Sequence, residues 1–62
     1  MSAAEIVLAY LERKSPTQYT VRHIARQTKL SRSTVQKALT SLRDAKKVER
    51  DLGYGEGYLW YA

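Results

Sequence analysis

A chain of 62 residues has room for one modest core, so a deep enclosed cavity is excluded. It contains no cysteine, which excludes disulfides and thiolate metal sites, and its longest apolar stretch, Ile6 to Leu11, is too short to cross a bilayer and follows no basic leader. A net charge of +5 and an isoelectric point near 9.8 point to a polyanionic partner.

From Ala3 to Arg13 the apolar residues Ala3, Ile6, Val7, Tyr10 and Leu11 recur at three- and four-residue steps, which predicts a first helix with these side chains on its core face. Ser2 is its N-cap, and Glu5 three residues later completes a capping box. Ser15-Pro16 ends it, because proline disfavours helical geometry in the residue before it. A short polar link, Thr17 to Thr20, follows, and its Tyr19 could extend beside a later hairpin. Val21, Ile24 and Ala25 predict a short second helix, capped by Thr20 and ending near Thr28. Leu30 supplies an apolar plug in the next turn. Ser31 then caps the longest helix, 31–45, with Val35, Ala38, Leu39 and Leu42 on one face.

Beyond it, Lys47 to Asp51 and Tyr58 to Tyr61 are β-prone and flank a glycine-rich G-Y-G-E-G tip, the pattern of a hairpin. By strand alternation Tyr58 and Trp60 share a face, and Trp60 is expected to pack against the first or third helix. The fold class is therefore mainly α with a small β-hairpin, one domain over 1–62.

The charge is sharply segregated along this order. Arg13, Lys14, Arg22, Arg26, Lys29, Arg32, Lys37 and Arg43 fall in a stretch without Asp or Glu, while Glu5, Glu12, Asp44, Glu49, Asp51 and Glu56 lie outside it. A basic middle of this kind is a candidate phosphate-binding face.

Thr20 to Thr40 reads T-V-R-H-I-A-R-Q-T-K-L-S-R-S-T-V-Q-K-A-L-T and resembles the helix-turn-helix of winged-helix regulators of the small bacterial, plasmid or viral type. Ile24 and Ala25 match the family's apolar and small positions, and Leu30, Val35 and Ala38 its later core positions. A small residue is needed at Ala25 because two steeply crossed helices approach closely there. Two departures stand out, since the family often has glycine where this chain has Lys29 in the turn and Lys47 after the third helix. A lysine in the left-handed region costs about 1 kcal/mol or more, so either the turn is shaped differently or the added charge compensates.

The resemblance implies a three-helix winged helix-turn-helix that binds double-stranded DNA sequence-specifically, with helix 31–45 in the major groove, as a transcriptional regulator. Docking of that helix makes Arg32, Ser33, Gln36 and Lys37 the candidates for base readout, through pairings such as Arg to guanine and Gln to adenine. Arg22, Arg26, Lys29, Thr40, Arg43, Lys46 and Arg50 are the candidates for the DNA backbone. In the wing Tyr54 is placed near DNA, although Glu56 at the tip weakens that contact. The blander alternative is that Ser33 only occupies the first helical turn and Lys37 is a solvated charge.

No enzyme is expected, since His23 is a lone histidine with no nucleophile or carboxylate cluster in the pattern around it. No cofactor or small-molecule ligand is expected either. The G-Y-G-E-G run does not precede a helix, so it reads as a turn and not as a phosphate-cradling loop. The expected location is cytoplasmic, on the nucleoid if the source is bacterial, and the expected state is a monomer with pairing on DNA left open. Three alternatives remain: a winged helix that binds proteins, an accessory factor in replication or recombination, and a left-handed-DNA-binding winged helix. The last is resembled in size and in Trp60, but that family's Asn, Tyr and proline pair are replaced here by Gln36, Thr40, Gly57 and Tyr58.

Overall fold

Three hydroxyl side chains start three helices. In the computed structural model, which describes residues 2–53 and 57–62, α1 spans Ala3–Lys14, α2 Val21–Thr28 and α3 Arg32–Asp44. Ser2, Thr20 and Ser31 hold extended backbone before them and accept from the N–H groups of Glu5, His23 and Thr34 at 3.2, 3.1 and 3.2 Å. Each such cap stabilises its helix by about 1 kcal/mol by satisfying an N–H that has no partner within the helix. The Ser2 hydroxyl also donates to the Glu5 carboxylate at 3.2 Å.

The two later helices end alike. Lys29 and Lys46 hold φ of 61° and 60°, and the next residue in each case reaches back five positions, Leu30 N–H to the Ala25 carbonyl and Lys47 N–H to the Leu42 carbonyl. This is a left-handed C-terminal cap in which glycine is the unstrained occupant. The turn after α2 thus has the left-handed shape that glycine adopts without strain. After α3 the strained residue is Lys46 and not Lys47, because α3 ends at Asp44 and the reversal follows Ala45 directly.

Val7 and Leu11 from α1, Ile24 and Ala25 from α2, and Val35, Ala38, Leu39 and Leu42 from α3 form the core together with Val48 and Trp60. Tyr10 and Leu30 are partly buried against it. Of the predicted α1 stripe, Val7 and Leu11 are in the core and Ala3 and Tyr10 pack against it; Ala4 and Leu8 join them, while Ile6 lines a groove shared with α2.

Strands β1, Glu49–Leu52, and β2, Tyr58–Tyr61, pair antiparallel, with Arg50 opposite Trp60 and Leu52 opposite Tyr58. Tyr19 lies along the other edge of β2, exchanging both backbone hydrogen bonds with Trp60 at 2.9 and 2.7 Å. Trp60 is 2 % exposed and belongs to the core, as expected, and its strand β2 lies against α1 and α2. Among the described residues no helix is long and apolar enough to cross a membrane.

Candidate nucleic-acid interface

Burial of Val35, Ala38, Leu39 and Leu42 fixes the rotation of α3, and the residues between them are turned to solvent. Arg32, Ser33, Gln36, Lys37, Thr40 and Arg43 are all exposed, so four candidate base readers and two candidate backbone contacts share this helix. Two of their hydroxyls are engaged locally. Ser33 Oγ lies 3.3 Å from Ser31 Oγ, beside the cap, and Thr40 Oγ1 donates to the Gln36 carbonyl at 2.9 Å. Thr40 therefore keeps its lone pairs to accept with, but its proton is committed to the helix.

Arg22 and Arg26 are exposed on α2, Lys29 at its end, and Lys46 beyond α3. Arginines of α2 and the start of α3 border common space. One cleft of about 270 Å³ is lined by Thr20, Val21, Arg22 and Arg32, and a second of about 370 Å³ by Arg22, Ala25, Arg26, Leu30 and Arg32. Sequence reasoning divided Arg22 and Arg32 between backbone and base contacts, yet the fold brings them to the same two clefts. Nothing in the spacing of these residues signals that, because it depends on how α2 crosses α3.

Arg50 differs from the other basic candidates. It is half-buried, with its guanidinium carbon 3.9 Å from the Tyr58 ring centroid and 5.8 Å from that of Trp60. A cation on aromatic faces is held in one place. Leu52, 80 % exposed, and Tyr58 continue this face outward along the wing. Tyr54 and Glu56 lie outside the described residues.

A cluster that the sequence did not reveal joins α1, α2 and the link between them. The His23 imidazole stacks on Tyr19, with centroids 4.5 Å apart and planes 8° apart, and its Nε2 lies 3.1 Å from the Tyr10 hydroxyl. Burial pushes the Tyr10 phenol above its ordinary value, the neighbouring Tyr19 adds to the rise, and the charge of Arg13 opposes it. The adoption of a structural role by His23 and Tyr10 leaves the candidate interface to the basic and polar side chains.

Three helices, the last two in helix-turn-helix arrangement, followed by an antiparallel hairpin, define a winged helix-turn-helix. The model of the IclR helix-turn-helix domain matches residues 6–52, and the chain belongs to this family of DNA-binding domains. Among solved structures it is similar to the Zalpha domain of zebrafish PKZ, determined as an apo crystal structure. The identity is 29 %, the match covers 94 % of this chain and 86 % of that one, and the TM-score is 0.79. No curated protein matches the chain.

Proposed function

We propose that this domain binds double-stranded DNA sequence-specifically, with α3 in the major groove, and serves as a transcriptional regulator. The observation that carries the reading is the exposed face of α3, Arg32, Ser33, Gln36, Lys37, Thr40 and Arg43, set in a stretch of chain without a single acid. A helix of this kind fits a major groove about 12 Å wide, and its first turns meet the base edges. Gln36 and Lys37 are the principal base readers, Ser33 a shorter-reaching one, and Arg32 stands at the edge of that set. Arg22, Arg26, Lys29, Thr40, Arg43, Lys46 and Arg50 surround them as backbone contacts, which give affinity without sequence information. Membership in the IclR helix-turn-helix family supports this assignment.

The test is selection of bound duplexes from a random pool, repeated with Gln36→Ala and Lys37→Ala. Relaxed preference at one or two base pairs is the expected result; uniform weakening would remove both residues from base readout. A duplex titration at low salt that left the amide resonances of residues 29–43 unmoved would overturn DNA binding by this face altogether.

The likeness to a Zalpha domain over 94 % of the chain favours one second reading, recognition of left-handed duplex. Against it stand Gln36, Thr40, Gly57 and Tyr58 at the positions where that family places its Asn, Tyr and prolines. Circular dichroism of an alternating CG duplex decides between them: inversion of the spectrum on adding protein supports the left-handed form, and an unchanged spectrum supports the first reading.

A further inference from the structure

Lys29 holds φ 61° and ψ 28°, where an L side chain crowds its own backbone and glycine does not. The conformation is required, since it lets the Leu30 N–H reach the Ala25 carbonyl at 3.1 Å and turn the chain from α2 into α3. The backbone calls for glycine and the sequence supplies a cation. A positive charge at the end of α2 recovers part of the cost through the helix dipole, but a lysine in place of Gln27 or Thr28 would supply that charge from an unstrained helical position. Lys46 carries the same strain at the end of α3; what distinguishes Lys29 is where its charge sits. Leu30, the next residue, lines the cleft that also holds Arg22, Arg26 and Arg32, and the cleft beside it again holds Arg22 and Arg32. All four cations belong to the acid-free stretch of the chain.

Resting on the DNA reading above, we propose that Arg22, Arg26, Arg32 and Lys29 form one seat for a DNA backbone phosphate between α2 and α3. In this seat Arg32 grips phosphate and does not read a base, and Lys29 is kept in a strained conformation for its charge. The planar fork of arginine suits two oxygens of one phosphate, and a lysine beside it adds a point charge without demanding geometry. Backbone gripping at this place sets the register of α3 in the groove and leaves base discrimination to Gln36 and Lys37.

The experiment measures duplex affinity against salt concentration, and Tm, for the wild-type domain, Lys29→Gly, Lys29→Arg, Arg32→Ala and Lys46→Gly. Lys46→Gly relieves the same kind of strain at the far end of α3 and calibrates the gain in Tm that relief alone brings. Lys29→Gly is expected to melt higher than wild type by a comparable margin and yet to bind more weakly, with a shallower slope of log K against log salt. Lys29→Arg keeps the wild-type slope. Arg32→Ala weakens preferred and unrelated duplexes by the same factor. An unchanged slope and affinity for Lys29→Gly overturns the seat, and loss of preference at a single base pair in Arg32→Ala returns that residue to base readout. If the wild type itself binds no duplex, the DNA reading fails and the seat with it; failure of the seat alone leaves wild-type binding intact.

Discussion

His23 and Tyr19 lie face to face, 4.5 Å between ring centroids and 8° from parallel, while the far edge of the imidazole meets the Tyr10 hydroxyl at 3.1 Å. One side chain of α2 thus joins α1 to the segment that pairs with the wing. Replacing it by alanine removes both the stack and the hydrogen bond, each worth about 1 kcal/mol. His23→Ala is expected to unfold at a lower denaturant midpoint by roughly 2 kcal/mol, and His23→Phe to recover the stacking share only. Equal losses for the two variants would show that the ring contact contributes nothing.

The raised Tyr10 phenol makes stability depend on alkaline pH. In the unfolded chain the phenol ionises at its ordinary value of 10.0, whereas in the folded chain burial, reinforced by Tyr19, holds the proton to higher pH. The contribution is therefore complete below pH 10 and is lost as pH rises from there through the folded value. Tyr10→Phe is expected to flatten that decline when unfolding is followed by denaturant titration above neutral pH, and a decline as steep as in the wild type would contradict this origin.

Trp60 presents a case where magnitude decides the phenotype. Truncating a buried tryptophan to alanine costs about 3–5 kcal/mol, and a domain of this size has roughly 3–9 kcal/mol in total. With the ring 2 % exposed, Trp60→Ala is expected to leave the chain largely unfolded at physiological temperature, visible as loss of helical circular dichroism. A cooperative melt close to that of the wild type would show that the ring is not part of the core.

Ser31 stabilises α3 through the bond from the Thr34 N–H and donates to the Thr34 hydroxyl at 2.7 Å. Ser31→Ala is expected to cost about 1 kcal/mol and to raise hydrogen exchange in the first turn of α3, while Ser31→Asp restores protection. The aspartate brings a negative charge to the candidate interface, so it should weaken duplex binding although the helix is sound. Undiminished binding by Ser31→Asp would place DNA away from this end of α3.

What was legible in the sequence was local. Ser2, Thr20 and Ser31 could be assigned as caps because a cap acts over three residues, and the buried face of α3 followed from a helix whose other face is polar. The α1 stripe was harder to place, since Ile6, Val7, Leu8 and Leu11 offer apolar residues in more than one direction and tertiary packing chooses Leu8 over Ile6. The left-handed position after α3 was misjudged by one residue, as it depends on where the last turn unwinds. Clustering of Arg22 with Arg32, and of Tyr10 with Tyr19 and His23, depends on crossing geometry between segments distant in the chain, which periodicity does not encode. Even so, the proximity of Tyr19 to the hairpin was readable, because a polar link with one aromatic residue beside a two-stranded sheet has an unpaired strand edge to join.

That junction also orders events in time. Contacts between α2 and α3 close a short stretch of chain, whereas Tyr19 and Trp60, like α1 and α3, meet only after a much longer stretch has been looped back, at a greater loss of chain entropy. The α2–α3 pair is therefore expected to form early and the wing to dock later. Because Trp60 is the sole tryptophan, its emission is a built-in clock for the moment of docking, separable by stopped-flow refolding from the earlier growth of helix.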